Sequence, residues 1–98
     1  MSATIDARAV PRFPAGVRLQ HDRAREQWVL LAPERVVELD EIAHAVLARV
    51  DGAADVGAIV AALAAEYDAD AEQVRGDVLE LFANLLDKRM LAVAAPAS

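Results

Sequence analysis

The stretch Trp28–Leu39 constrains the fold most, because two apolar β-type segments flank a proline turn. Val, Leu and Trp favour a pleated, half-buried surface, and Pro33 suits the first corner of a tight turn. Alternation of apolar and polar residues over 17–22 predicts another strand before this hairpin. We therefore predict strands at 17–22, 27–31 and 35–39. No later stretch is a convincing partner for the third strand, so it is predicted to be an open sheet edge.

Three helices are predicted after the strands. Asp40, Asp55 and Asp70 suit their N-caps, and Gln73 has the position of a reciprocal capping-box partner of Asp70. Gly52 is predicted to follow the end of the first helix in the left-handed conformation. The third helix, about residues 71–89, has two neighbouring apolar stripes, which indicates that it covers a second surface besides the core. The second stripe consists of Leu79, Phe82 and Leu86.

This order of elements predicts an α+β fold, with a three-stranded antiparallel sheet followed by a three-helix bundle, winged helix-turn-helix-like. The 98 residues suffice for one core. We expect an extended N-terminal arm over 1–16, one domain over 17–93 and a flexible tail over 94–98. Without cysteine, a signal-peptide segment or a long apolar run, the chain is expected to be cytoplasmic and not in a membrane.

The acidic charge balance weighs against a nucleic-acid partner. The net charge is −6, and residues 68–90 contain six acidic and three basic side chains, which phosphate would repel. The topology nevertheless leaves a winged-helix DNA-binding or regulatory domain as an alternative. A purely structural dimerisation module is another.

No catalytic or metal site is predicted. His21 and His44 are the only histidines, and without cysteines or a repeated histidine spacing they are interpreted as ordinary packed or surface residues. Both serines are terminal, and no glycine-rich phosphate loop is present. We therefore predict a non-enzymatic chain without a cofactor.

The open strand and the second helix stripe would form a groove if they were adjacent. Such a groove binds an extended peptide as an added strand, in which backbone bonds supply affinity and side-chain pockets supply specificity. Two alternatives to peptide binding remain open. The edge is covered either by the arm over 1–16 or by a second copy of the chain in a homodimer. The predicted peptide-binding residues are Arg35, Val36, Val37, Glu38 and Leu39 on the strand, and Leu79, Phe82 and Leu86 on the helix.

The chain resembles the PqqD family, the peptide chaperones of pyrroloquinoline quinone (PQQ) biosynthesis, over about residues 11–91. The hairpin with its Pro33–Glu34 turn is the most specific part. Arg89 departs from the resemblance, because the family often has a glycine there. The positions that carry it are Gly16–Leu19, Asp22, Trp28–Glu34, Leu39, Ala43, Leu47, Asp51–Gly52, Ile59, Leu63, Tyr67 and Asp77–Val78.

The resemblance implies a RiPP recognition element with three strands and three helices. Such a domain binds the precursor peptide PqqA as an added strand, between the third strand and the third helix. It presents PqqA to the radical-SAM enzyme PqqE, which cross-links a Glu and a Tyr of the peptide. Four positions that match the family are expected to act in structure or in enzyme contact, namely Arg18, Asp22, Pro33 and Glu34.

Overall fold

A computed structural model of the chain describes residues 7–94. The predicted α+β class is confirmed, with a three-stranded antiparallel sheet and three helices. The predictions for residues 1–6 and 95–98 lie outside the described residues. The elements are β1 (Val10–Arg12), β2 (Arg18–Asp22), β3 (Gln27–Ala32), β4 (Arg35–Leu39), α1 (Glu41–Leu47), α2 (Val56–Glu66), α3 (Ala71–Asp87) and β5 (Ala92–Ala94).

The main sheet has the order β2-β3-β4 and is antiparallel throughout. In its register, Leu30 of β3 lies opposite Leu19 of β2 and Val37 of β4. Within residues 7–94, β4 pairs with β3 alone, so its other side is an open edge. This is the edge that the sequence predicts.

A second sheet of two strands was not expected. Residues 10–12, predicted as part of the arm, form β1 and pair antiparallel with β5, so that Pro11 lies opposite Val93. The carbonyl groups of Ala7 and Ala9 accept hydrogen bonds from the N–H groups of Gly57 and Val56. Strands of three residues are too short to show a period, and this pairing joins segments from opposite ends of the sequence.

The predicted caps are confirmed for two of the three helices. The carboxylates of Asp40 and Asp55 accept the N–H groups of Ala43 and Ala58 at 2.7 and 2.8 Å. Asp70 precedes α3 but makes no side-chain cap bond, so the predicted capping box is absent. Helix α1 ends at Leu47, earlier than predicted.

Two neighbouring residues, Asp51 and Gly52, determine the conformation of the loop after α1. Gly52 has the expected left-handed conformation, with φ of 79°. The Asp51 carboxylate accepts the N–H groups of Ala54 and Ala53, which lowers the pKa of this group below its usual value. Short-range hydrogen bonds therefore fix the path from α1 to α2.

The core lies between the main sheet and the helices. It contains Leu30 of β3, Leu47 of α1 and Ile59 of α2, each at most 1% exposed. Helix α3 contributes Val78, Phe82 and Leu85. Met90 and Leu91, which follow this helix in the chain, also belong to the core. No polar side chain is buried among residues 7–94, so apolar packing organises this core.

Helix α3 ends in a Schellman motif, although the residue that requires a left-handed backbone is not glycine. The N–H of Met90 donates to the carbonyl of Leu85 at 2.8 Å, and the N–H of Arg89 donates to that of Leu86 at 3.0 Å. Arg89 has φ of 61°. The turn is therefore formed without the glycine that the family often has there, and the arginine adopts a strained conformation.

We expect Arg89→Gly to raise the free energy of unfolding by about 0.5–1 kcal/mol, as measured by urea denaturation. Glycine removes the steric cost of the left-handed backbone, which exceeds the entropy that it adds to the unfolded chain. Lys88→Gly is the matched control, because Lys88 has a right-handed backbone with φ of −85° and should lose stability. Equal destabilisation by both variants would show that the Arg89 side chain stabilises the turn.

Candidate functional site

The open edge belongs to a strand with two different faces. Arg35, Val37 and Leu39 share the face toward the core, where Leu39 is buried and Val37 is half-buried. Val36 and Glu38 share the opposite face, and Val36 is 64% exposed. Side chains of a strand alternate in this way, so a peptide paired with β4 would have one row of side chains toward the helices.

Helix α3 approaches β4 near both ends of the strand. At the first end, the Arg35 guanidinium donates to the carbonyl of Lys88 at 3.3 Å. At the other end, Asp40, directly after β4, lines a cleft together with Asp77, Leu81 and other residues of α1 and α3. We call the space between β4 and α3 the β4–α3 groove. We infer its helix side from these two contacts: it includes Asp77, Glu80, Leu81 and Asn84 of the cleft, and the Lys88 carbonyl that binds Arg35.

The helix residues predicted for this groove lie on a different side of α3 from the residues that line the cleft. An α-helix turns by about 100° per residue, so Leu79, Phe82 and Leu86 project roughly opposite to Asp77, Asn84 and Lys88. Phe82 is 0% exposed and lies in the core. Leu79 and Leu86 are half-buried and pack against that core.

The α3 residues that line this cleft differ from the predicted ones because they are mostly polar. Leu81 is the exception. It belongs to the first apolar stripe of the helix, which consists of Val74, Val78, Leu81, Leu85 and Lys88 and is predicted to cover the core. The signal that identifies this side of α3 is its spacing of three and four residues from Asp77 to Lys88. A helix flank beside a groove is partly solvated, so it need not be apolar.

The groove is acidic where β4 meets α1. Asp40, Asp77 and Glu80 line the same cleft there. The Asp40 carboxylate also caps α1. Among residues 7–94 no salt bridge neutralises Asp77 or Glu80. This end of the groove therefore favours a positively charged group.

The four positions expected in structure or enzyme contact do not form one surface. Arg18 and Pro33 line a shallow cleft at one end of the main sheet, and Glu34 is exposed in the turn beside Pro33. Asp22 lies at the opposite end of β2. Its carboxylate accepts the N–H groups of Ala24 and Arg25 at 3.1 and 3.3 Å, so it stabilises the hairpin loop.

The two histidines pack on the single tryptophan. The rings of Trp28 and His44 are stacked with their centroids 4.1 Å apart. The ring centroid of His21, on the neighbouring strand β2, lies 5.1 Å from that of Trp28. This stack joins the sheet to α1. Over the described part of the chain, no group of three potential ligand residues could hold a metal ion.

A model of the PqqD family, coenzyme PQQ synthesis protein D, matches residues 27–91. A PqqA binding protein of Xanthomonas campestris pv. campestris (strain 8004) is 57% identical over 89 residues, which cover 91% of this chain and 97% of that relative. A PqqA binding protein of Xanthomonas oryzae pv. oryzae (strain KACC10331 / KXO85) is 62% identical over 81 residues, which cover 83% of this chain and 88% of the relative.

Two solved structures are similar to this fold. The solution structure of the PqqD truncation of Methylobacterium extorquens PqqCD, a stand-alone RiPP recognition element, has a TM-score of 0.80 and 45% identity. It covers 91% of this chain and 95% of that one. The crystal structure of PqqD from Xanthomonas campestris has a TM-score of 0.58 and 57% identity, over 91% of this chain and 99% of that one. No helix within residues 7–94 is long and apolar enough to cross a membrane.

Proposed function

The chain belongs to the PqqD family, and we propose that it is a peptide chaperone of PQQ biosynthesis. It binds the precursor peptide PqqA as an added strand on β4 and presents it to the radical-SAM enzyme PqqE. The bond-forming chemistry belongs to PqqE, and no catalytic residue is assigned to this chain. The observation that supports strand addition is the open edge of β4, which faces α3 across a groove.

Strand addition suits an extended peptide. The unpaired N–H and C=O groups of β4 supply backbone hydrogen bonds, each worth about 0.5–1.5 kcal/mol net. Ordering a flexible peptide costs roughly 2–5 kcal/mol, so several such bonds together with side-chain burial must exceed that cost. Leu81 and Val37 are half-buried apolar side chains beside the groove and are suited to pack against the peptide.

The proposed mechanism is the positioning of the peptide relative to PqqE. A peptide held on a domain that also contacts PqqE meets the enzyme at a raised effective concentration and in one orientation. Arg18, Pro33 and Glu34 remain proposed for the enzyme contact, because they are exposed at the turn end of the sheet. Asp22 is assigned to the hairpin loop by its hydrogen bonds.

We expect an amide NMR titration with a synthetic PqqA peptide to shift the resonances of residues 35–39 and of residues 81–88. Backbone pairing changes the amide environment of β4, and side-chain packing changes that of α3. A peptide of the same composition in scrambled order is the control. Shifts confined to other surfaces, or none at saturating peptide, would contradict strand addition on β4.

A further inference from the structure

An apolar cavity adjoins the β4–α3 groove. Its volume is about 230 Å³, and it lies among the three helices, where α2 ends and α3 begins. Ile42 and Tyr67 are 64% and 56% exposed, so the cavity opens to solvent between them. Its walls include Ala45, Leu63, Ala69 and Val74.

The cavity and the groove share a wall. Ile42, Val46 and Asp77 line both the cavity and the cleft at the Leu39 end of β4. A peptide strand that is paired with β4 and continues past Leu39 therefore reaches the mouth of the cavity. This continuity makes the bound peptide the natural occupant.

The size of the cavity fits a side chain. An apolar cavity of roughly 150 Å³ accepts benzene, whereas small-molecule pockets usually begin at roughly 300 Å³. A volume of about 230 Å³ therefore suits one aromatic or large aliphatic side chain. The side chain would also cover Ile42 and Tyr67, which are otherwise large apolar groups in water.

The charge of the cleft indicates which type of residue lies next to that side chain in the bound peptide. The cleft that leads to the cavity contains the carboxylates of Asp77 and Glu80, which no salt bridge within residues 7–94 neutralises. A lysine or arginine next to the apolar residue would reach these carboxylates. An acidic neighbour would be repelled.

We propose that the cavity is a specificity pocket that takes one large apolar side chain of the bound peptide, with a lysine or arginine beside it at Asp77 and Glu80. The inference rests on the proposed peptide binding and adds to it the sequence feature that the domain selects. That feature lies outside the segment that pairs with β4, on the side of Leu39.

The main test fills the cavity from an exposed position. Ala69 lines the cavity and is exposed, so Ala69→Leu occupies its space without removing a core contact. We expect this variant to bind a synthetic PqqA peptide at least about tenfold more weakly by calorimetry, since burial of one large apolar side chain is lost. The matched control is Ala61→Leu, an exposed alanine on α2 that does not line the cavity, and it should bind as the wild type does.

The outcomes separate this proposal from peptide binding itself. If wild type binds PqqA and Ala69→Leu binds equally well, the pocket is wrong while the groove stands. If wild type does not bind PqqA, the proposed function fails, and this inference fails with it. Thermal melts identify an Ala69→Leu chain that does not fold, in which case the following measurement on wild type decides.

NMR of isoleucine methyl groups tests the pocket without a substitution. PqqA should shift the δ1 methyl of Ile42 at the cavity and leave that of Ile59, which is 1% exposed in the core, nearly unchanged. The ring of Tyr67, the single tyrosine, should shift with Ile42. An unshifted Ile42 at saturating peptide would overturn the pocket. Shifts of Ile42 that depend on protein concentration without peptide would assign the cavity to a second copy of the chain and also overturn it.

A separate experiment tests the proposed basic residue of the peptide at Asp77 and Glu80. The double variant Asp77→Asn with Glu80→Gln should weaken PqqA binding several-fold at low salt, and the difference should shrink as salt is added. Unchanged binding at low salt would overturn the basic neighbour. It would not affect the result for Ala69→Leu.

Discussion

We expect Phe82→Ala to lower the free energy of unfolding by about 3–5 kcal/mol, because removal of a fully buried ring leaves a cavity in the core. Phe82 is 0% exposed and belongs to the same cluster as Leu30 and Leu47. Domains of this kind are stable by about 5–15 kcal/mol in total, so the loss is a large fraction. Urea denaturation with the wild type in parallel measures it.

Phe13→Ala is the matched control for this prediction. Phe13 is the other phenylalanine of the chain, and it is half-buried at the margin of the core. We expect it to lose less than half as much stability, since solvent already reaches part of the ring. If Phe82→Ala folded with wild-type stability and bound PqqA weakly, the ring would belong to the groove, as the sequence analysis predicted.

The second large effect concerns the backbone of β4. Opposite residues of an antiparallel pair alternate between those that exchange hydrogen bonds and those that do not. The β3–β4 loop has two residues, and in a β-turn the N–H of the fourth residue donates to the carbonyl of the first, which favours Ala32 and Arg35 as a bonded pair. By alternation, we infer that Val36 and Glu38 direct their backbone groups to the open edge.

We therefore expect Val36→Pro to weaken binding of a synthetic PqqA peptide by roughly tenfold to a hundredfold, as measured by calorimetry. Proline removes an N–H that the added strand would accept, and its ring obstructs the approach of that strand. Folding should persist, because edge strands tolerate proline at positions that do not donate to the ladder. Thermal melts verify that the variant is folded.

Two further variants are the controls for Val36→Pro. Val36→Ala keeps the N–H and should bind within a few-fold of wild type. Val37→Pro removes an N–H inferred to donate to β3, so it should lose stability instead. Wild-type affinity in a folded Val36→Pro chain would exclude strand addition on β4. Equal weakening by Val36→Ala would show that the side chain, not the backbone, carries the binding.

The features that could be predicted from the sequence arise from interactions between near neighbours. The proline turn at Pro33, the strand at 35–39 and the caps by Asp40 and Asp55 all follow from rules that operate within a few residues. The same rules fail at Asp70, where a capping sequence has no cap bond. They also place the end of α1 too late, because helix ends depend on what packs beside them.

The hairpin, the open edge and the helix order follow from the sequence alone, and these features carry the family resemblance. The side of α3 that lies beside the end of β4 depends on tertiary packing, because local sequence does not say what packs on each side of a helix. Contacts between distant residues decide it: Asp77 and Leu81 line one cleft with Asp40, and Phe82 fills the core. The β1–β5 pair and the cavity beside α1 have the same origin, since each forms only when separate segments meet.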